Sequence, residues 1–242
     1  MPGLSADEGV TVPVLTGGWL NVAFVHWPFR PVDVQALLPD ALTVDTYDGY
    51  AWVSLTPFVM ADLRLFGGAR LPGLSAVPET NLRTYVRGPD GRDGLWFFSL
   101  EAASAALTVA ARFGPPGAPY HWGRLGVDEQ SGTTSYTGRR YGGTQSYTLV
   151  VRAGAAIIPS ERDVWLTGRW RAYTHRLGRL LVTPVEHEPW PLAAATVDVL
   201  EQNLLRSAGL PEPVAEPLLH FSTGVVRARM GLARPVRQRP AR

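Results

Sequence analysis

Residues 77–102 have the sequence VPETNLRTYVRGPDGRDGLWFFSLEA, in which two segments of alternating apolar and polar residues flank a connection rich in Gly, Pro and Asp. Alternation with a period of two residues is typical of β-strands, and Gly, Pro and Asp are typical of tight turns. We therefore predict that residues 80–88 and 94–101 form a β-hairpin around PDGRDG, residues 89–94.

The same alternation recurs along the chain, in segments rich in Val, Thr, Tyr, Phe and Trp. The further predicted strands are Trp19–Trp27, Tyr50–Met60, Thr133–Arg139, Ser146–Arg152, Arg179–His187 and Leu218–Met230. Helical patterns are fewer, at Pro31–Leu38, Ala102–Arg112, Ser160–Leu166 and Val197–Ala208. Because strands and helices do not alternate regularly, a doubly wound parallel sheet is disfavoured. The pattern indicates a β-rich α+β fold, in which an antiparallel sheet encloses a small-molecule cavity.

No internal repeat and no linker divides the 242 residues, a length that suits one large β-rich domain. We predict a single domain over residues 18–230 and an N-terminal extension over residues 1–17. Residues 231–242 are basic and interrupted by Pro, which predicts a disordered tail.

Two residue types are absent, and each absence excludes a class of chemistry. The chain has no Cys, which excludes disulfides and thiolate nucleophiles. It also has no Lys, since all 23 basic residues are Arg. A guanidinium stays protonated and cannot form a Schiff base, so covalent catalysis through a lysine amine is excluded.

The sequence pI is about 9.1, but the positive charge is concentrated at the C-terminus. Residues 227–242 contain six Arg and no acid, whereas residues 1–226 carry a net charge of −4. An acidic body argues against a nucleic-acid-binding domain. The chain lacks an apolar run of membrane-spanning length and a secretory signal, so we expect a cytoplasmic protein without a membrane partner. The oligomeric state stays open, a homo-oligomer included.

The candidate catalytic residues are Glu79 and Arg83. In an extended strand Arg83 shares one face with Asn81, Tyr85 and Arg87, and Glu79 lies on the same side, within pairing range of Arg83. One interpretation is a buried ion pair that fixes the strand register. In the other, Arg83 holds a carboxylate or enolate and Glu79 moves a proton.

The candidate ligand-binding residues are His26, Tyr85, Tyr120 and His121. His26 ends the first predicted strand, and a His beside a cavity can shuttle protons. Tyr120 and His121 follow the turn sequence GPPGAP, where they would line the mouth of a pocket. Packing in the core is the alternative role for each of them.

We expect neither a cofactor nor a metal ion. No dinucleotide-binding, P-loop, nucleophile-elbow or zinc-protease motif occurs. The sequence Glu186-His187-Glu188 is similar to a metal-ligand cluster, but on a strand the two Glu side chains point to one face and the His to the other.

Seven motifs occur in a fixed order along the chain: FVHW (24–27), LLPDALTVDTYDGYAWVSLTPF (37–58), PETNLRTYV (78–86), GLWFFSLEA (94–102), AARFGPPGAPY (110–120), WLTGRWRAY (165–173) and VEHEPWPL (185–192). In this order they resemble the YqjF-like family of uncharacterised bacterial proteins, over about residues 18–230. That family is identified as a member of the acetoacetate decarboxylase-like superfamily.

The resemblance implies a curved antiparallel sheet that is closed into a cone or barrel around a central cavity, with helices outside. In the superfamily's decarboxylases a Lys forms a Schiff base with the keto acid, supported by acidic residues and an Arg. The resemblance places Glu79 near one supporting Glu and the Lys in or near Arg112–Tyr120, where this chain has none. A further departure is Gly168, where the family tends to have an acid.

These observations support three functions, all with a small molecule as the partner. The first is a cofactor-free enzyme that acts on a carbonyl or carboxylate compound by acid/base chemistry, with Arg83 as anion anchor and Glu79 as acid/base. The second is a non-catalytic protein that binds a small molecule in its cavity. The third is a structural or assembly subunit whose interior is filled by its own aromatic side chains.

Overall fold

Long strands dominate the computed structural model, which describes residues 3–114 and 117–236. The strands are β1 (Leu15–Phe29), β2 (Thr43–Val44), β3 (Thr46–Tyr47), β4 (Tyr50–Leu65), β5 (Ala76–Arg87), β6 (Asp93–Ala102), β7 (Tyr120–Gln130), β8 (Thr133–Arg140), β9 (Ser146–Ala156), β10 (Arg171–Arg176), β11 (Arg179–Glu186), β12 (Leu192–Gln202), β13 (Leu218–Met230) and β14 (Arg234–Pro235). The helices are α1 (Pro31–Gln35), α2 (Ala105–Phe113), α3 (Glu161–Thr167) and α4 (Leu204–Ser207). The chain is therefore β-rich with few, short helices, as its sequence predicts.

The described strands form one sheet, in the order β14-β11-β10-β6-β7-β8-β9-β12-β13-β1-β4-β5-β2, with β3 paired to β4. In addition β6 pairs with β5 and β11 with β13, so the path of pairings returns on itself. The sheet is mixed, because β6 runs parallel to both β7 and β10. The prediction of a purely antiparallel sheet is wrong at these two pairings, where α2 and the segment through α3 provide crossovers long enough for parallel strands.

The predicted hairpin is confirmed as β5 and β6, whose antiparallel register runs from Glu79 opposite Ala102 to Arg87 opposite Asp93. The connection closes with a hydrogen bond from the Gly88 N–H to the Arg92 carbonyl oxygen, 2.9 Å long. A register shift after Leu82 interrupts the pairing. Such a bulge bends the strand and increases its twist.

The helix predicted over Val197–Ala208 is wrong in its first half. Residues up to Gln202 belong to β12, which pairs with β9 from Ala193 opposite Ala156 to Gln202 opposite Tyr147. Only Leu204–Ser207 is helical, as α4. The β-branched residues of Thr196-Val197 and Val199 suit a pleated surface, and cross-strand pairing outweighs the helical stop signal at Gly209.

Alternate residues of β1 enter two different buried clusters, which shows that both faces of this strand are covered. Ala23, Val25 and Trp27 pack in a cluster that includes α4 residues. Val22 and Phe24 pack in another cluster on the opposite face. Helix α3 also lies on the Phe24 face, since its Leu166 packs in a buried cluster with residues of β4, β5 and β6. The candidate site described below lies on this face.

The N-terminal segment packs against the domain that follows it. The Trp170 Nε1–H donates to the Gly3 carbonyl oxygen at 3.0 Å, and the N–H of buried Val10 donates to Glu186 Oε2 at 2.9 Å. A Cβ at Gly168 would lie 2.8 Å from the same Gly3 oxygen, so this position requires a residue without a side chain. Hence the N-terminal segment, which the sequence predicts to be an extension, packs over Gly168, the position where the family tends to have an acid.

Part of the segment that the sequence predicts to be disordered is ordered. Strand β14 pairs with β11, and the Val236 N–H donates to the Leu180 carbonyl oxygen at 3.0 Å. Arg234 pairs with Glu8 of the N-terminal segment. Residues 237–242 of the predicted tail lie outside the described residues. No helix in the described ranges is long and apolar enough to cross a membrane.

Candidate functional site

A polar face on β5 forms the centre of the candidate site. Glu79, Asn81, Arg83 and Tyr85 alternate along this strand and are all buried, between 0% and 8% exposed. In β4, residues Phe58, Thr56 and Ser54 stand opposite Glu79, Asn81 and Arg83. Directly opposed residues of an antiparallel pair project from the same face. The alternation in the sequence therefore predicted this face correctly.

Glu79 is a buried carboxyl group whose hydrogen-bond partner is Tyr120. The Tyr120 hydroxyl donates to Glu79 Oε2 at 2.9 Å, from β7 on the far side of β6. Burial raises the pKa of Glu79 to about 8, although the bond from Tyr120 acts to lower it. Burial together with the neighbouring Glu79 also raises the pKa of Tyr120 well above its usual value. Glu79 is thus a protonated acid at neutral pH.

Arg83 does not pair with Glu79. No ion pair joins the two among the described residues, because the Glu79 carboxyl group bonds to Tyr120 instead. Their Cα atoms, four residues apart on an extended strand, are about 13 Å from each other. The Arg83 guanidinium carbon instead lies 5.6 Å from the ring centre of Phe24, a cation–π contact. Its Nε atom is buried and has no hydrogen-bond partner in the described residues. The structural interpretation of these residues as an ion pair that fixes register is therefore wrong.

His26 belongs to a chain of buried hydrogen bonds. The Tyr85 hydroxyl donates to the Leu166 carbonyl oxygen at 2.7 Å, so its single hydrogen is used there. Ser54 Oγ, 2.7 Å from the Tyr85 oxygen, must then be the donor to it. His26 Nδ1, 2.5 Å from Ser54 Oγ, must in turn donate its own hydrogen. The chain fixes neutral His26 with hydrogen on Nδ1 and a bare lone pair on Nε2.

His220 is a further buried histidine of this face, and the sequence interpretation missed it. Its Nε2 lies 3.0 Å from Asp163 Oδ1, and the ring centres of His220 and His26 are 5.6 Å apart. Burial acts to raise the pKa of Asp163, but hydrogen bonds from Ser160 and the nearby His220 outweigh it and lower that pKa. The carboxylate accepts the Nε2 hydrogen, which leaves His220 Nδ1 as a bare lone pair. Burial lowers the pKa of both imidazoles, so both are neutral.

Sequence signals for this pair exist but do not reveal that the two residues meet. Asp163 completes a capping box with Ser160 at the start of α3, a common local motif. His220 is a polar residue in the apolar start of β13, and its neighbour across the strand pair is Phe24. The contact joins residues that are 57 positions apart, and only the folded chain brings them together.

His121 lies apart from the other predicted site residues. It stands opposite Glu101 on β6, on the face of β7 away from Tyr120. Glu101 is itself paired with Arg140. Burial, followed by the positive charge of Arg140, lowers the pKa of His121. The structure thus brings together Glu79, Tyr120, Arg83, Tyr85 and His26 on one face and separates His121 from them.

The Glu186-His187-Glu188 sequence is occupied by other contacts. Glu186 accepts from Arg229 and Glu188 from Arg227, while the His187 ring packs between Trp170 and Trp190 with ring centres 4.5 Å from each. Across residues 3–114 and 117–236, no group of three or more His, Asp or Glu side chains is arranged to hold a metal ion.

A surface groove of about 620 Å³ lies near the start of β7 and the end of β8, lined by Arg124, Arg139, Arg140 and the turn from Tyr141 to Thr144. Arg140 is paired with Glu101, the residue beside His121. The groove contains none of the residues predicted for the site.

The chain has an acetoacetate decarboxylase-like fold. It is similar to an acetoacetate decarboxylase-like enzyme from Sphingomonas wittichii RW1, with a TM-score of 0.65 and 15% identity over 96% of both chains. It is also similar to the enduracididine biosynthesis enzyme MppR complexed with pyruvate, with a TM-score of 0.67 and 15% identity over 96% of this chain and 93% of that one. At such identities the likeness shows the fold alone.

The family follows from sequence. Residues 16–226 match the model of DUF2071, described as an uncharacterized conserved protein. The chain is also 32% identical over 223 residues to the uncharacterized protein YqjF of Bacillus subtilis (strain 168), with 90% of each chain covered. This chain belongs to the DUF2071 family.

Proposed function

We propose that the protein is a cofactor-free enzyme that acts on a small carboxylate or carbonyl compound by acid/base chemistry, inside a sheet closed into a cone or barrel. The observation that carries this proposal is Glu79, a fully buried carboxyl group with a pKa of about 8 on the same strand face as Arg83. An acid/base group works best when its pKa lies near the working pH. Perturbed carboxyl groups are also typical of active sites.

The roles follow from the charge that each side chain carries. Arg83 is the cation of the face and has an unpaired Nε–H, so it binds the carboxylate or enolate of the ligand. Protonated Glu79 donates its hydrogen to an oxygen on which negative charge develops, and ionised Glu79 removes a proton from carbon. Tyr120 positions the Glu79 carboxyl group through their hydrogen bond. His26 and Tyr85 contribute to the binding of the ligand.

The mechanism differs from Schiff-base decarboxylation, since the chain contains no Lys. Proton transfer needs no covalent intermediate and fits the residues present. Pyruvate, which is bound to the related fold of MppR, is a suitable first probe because it carries both a carboxylate and an exchangeable methyl group.

The test is the exchange of pyruvate methyl hydrogens for deuterium in D₂O, followed by proton NMR. We expect the wild-type protein to accelerate exchange, Glu79→Gln to bind pyruvate without accelerating it, and Arg83→Met to lose binding. Glu201→Gln and Arg206→Met change exposed residues of the same types and serve as matched controls. Exchange by Glu79→Gln at the wild-type rate would contradict the proposal. Binding without exchange in the wild type would instead favour the non-catalytic binding protein.

A further inference from the structure

Buried polar atoms without a protein partner are concentrated on the candidate-site face. The residues that carry them lie on the adjacent strands β13, β1, β4 and β5. Five of the nine such atoms among the described residues belong to this face: His220 Nδ1, His26 Nε2, Thr56 Oγ1, Asn81 Oδ1 and Arg83 Nε. The other four are Gln145 Oε1, Arg169 Nη2, Thr174 Oγ1 and Thr183 Oγ1. Buried polar atoms in proteins are nearly always hydrogen-bonded, so a concentration of unpartnered ones indicates a place where another molecule binds.

These atoms are mostly hydrogen-bond acceptors. The bonds to Ser54 and Asp163 leave a bare lone pair on each imidazole. Asn81 Oδ1 is an amide oxygen and accepts only, whereas Arg83 Nε is a cationic donor. The face therefore offers three buried acceptors and the Arg83 cation, which has no ion-pair partner among the described residues. The guanidinium of Arg169, which stacks on the Tyr85 ring, is instead neutralised by Asp45 and Asp93. A complementary ligand carries one negative group and several hydrogen donors.

We infer that this face binds a carboxylate that bears adjacent hydroxyl groups, the chemical class of the sugar acids. This inference rests on the proposed function, since it names the substrate class of the same site. Arg83 binds the carboxylate. A hydroxyl group has one hydrogen, so His26 Nε2 and His220 Nδ1, on rings 5.6 Å apart, accept from two different hydroxyl groups.

Two other ligand classes fit the face less well. An amino acid would place an ammonium group on the face that already holds the Arg83 cation, while Glu79 is protonated and offers no counter-charge. A metal ion would find two imidazoles, but in the part of the chain that the structure describes no group of three His, Asp or Glu side chains is arranged to hold it. Neutral hydroxyl groups satisfy the same acceptors without a buried charge.

The experiment compares glycerate, lactate, propionate and alanine, which share a three-carbon carboxylate and differ in their hydroxyl and ammonium groups. Each is titrated into protein labelled with ¹⁵N-histidine and followed by two-bond ¹H–¹⁵N correlation spectra. We expect the free protein to show hydrogen on His26 Nδ1 and on His220 Nε2. Glycerate should shift the two bare nitrogens, and each hydroxyl group should strengthen binding about three- to tenfold over propionate.

Two substitutions remove one bare nitrogen each and keep the structural hydrogen bond. The side-chain NH₂ of His26→Asn still reaches Ser54, and that of His220→Gln still reaches Asp163. In each variant the affinity for glycerate relative to propionate should fall about three- to tenfold, which is the contribution of one hydroxyl group. The affinity for propionate itself should match that of the wild type. The wild-type titration needs no variant, so it stands even where a substitution impairs folding.

The inference is overturned if glycerate binds no better than propionate or shifts neither bare nitrogen. Tighter binding of alanine would replace it with an amino-acid site, and a Zn²⁺ titration that shifts both nitrogens would replace it with a metal site. Its failure is separable from that of the proposed function. Deuterium exchange that depends on Glu79 without a glycerate preference removes only the inference, and a glycerate preference without exchange removes only the catalysis.

Discussion

Substitution of Glu79 by Gln should abolish a loss of stability that the wild type shows as the pH rises from about 5 to 8. The folded protein holds the Glu79 proton up to a pKa of about 8, whereas in the unfolded chain the pKa returns to the ordinary value of 4.5. Between these two values only the folded state carries the proton, so the free energy of unfolding falls as the pH rises. Gln has a similar size, stays neutral at every pH and still accepts the hydrogen of Tyr120.

The magnitude follows from the two pKa values. Between pH 5 and pH 8 the linkage relation gives a loss of about 3.5 kcal/mol in the wild type, from a group that is fully buried. For a chain of this length that corresponds to about 7–14 °C in melting temperature. Glu79→Gln lacks this loss, so its stability relative to the wild type should rise by the same amount over that range.

The assay is urea unfolding followed by tryptophan fluorescence at several pH values from 5 to 8.5, on the wild type and on Glu79→Gln. Exposed Glu201→Gln is the matched control and should follow the wild type throughout. If the difference between the wild type and Glu79→Gln stays constant with pH, or changes in the opposite direction, Glu79 is not a buried, protonated carboxyl group in solution.

Three further substitutions test neighbouring contacts. Tyr120→Phe removes a hydrogen bond that lowers the pKa of Glu79, so the midpoint of the Glu79 titration, followed by ¹³C NMR, should move to higher pH. Asp163→Asn takes away the carboxylate that accepts from His220 and caps α3, and should destabilise the fold by about 1–3 kcal/mol in urea. Arg169→Met removes the partner shared by Asp45 and Asp93, which keep Arg87 and Arg171 respectively, and should cost about 1–3 kcal/mol at neutral pH.

Surface residues provide the comparisons for these substitutions. The exposed pair of Arg152 and Asp198 joins β9 and β12. Arg152→Met and Asp198→Asn should each change the free energy of unfolding by about 0–1 kcal/mol, because exposed ion pairs contribute little. An Arg169→Met protein as stable as Arg152→Met would show that the buried ion pairs of Arg169 with Asp45 and Asp93 do not stabilise the fold. Likewise, a Tyr120→Phe titration unchanged from the wild type would show that the two groups do not touch.

Alternation predicted most of the long strands, but it did not identify β7, β10 or β12 as strands. β13 has the bounds that alternation predicts, and β5, β6 and β8 differ from prediction by only a few residues at their ends. β7 was missed, because Gly and charged residues interrupt its pattern in YHWGRLGVDEQ. Periodicity identifies a strand by its faces, and it says little about a strand with weakly contrasting faces.

The site was predictable along a strand but not between strands. The alternation of β5 correctly placed Glu79, Asn81, Arg83 and Tyr85 on one face. It failed for the partner of Glu79, because Tyr120 comes from β7, whose place next to β6 depends on a parallel crossover. Asp163 gave only a helix-cap signal. Sequence spacing therefore reports which residues share a face, while strand order decides which faces meet.

Helix α3 holds both imidazoles of the site through one short element. Its Asp163 carboxylate binds His220, and its Leu166 carbonyl oxygen receives the hydrogen-bond chain from His26 through Tyr85. One bond at each end of α3 is therefore involved: the bond between His220 and Asp163 is direct, and that from Tyr85 to Leu166 fixes the donor order of the chain that includes His26. The hydrogen placement on both rings thus depends on contacts with the same helix. Leu4 of the N-terminal segment and Val164 of α3 line the same small crevice, so this segment packs beside the helix on which both rings depend.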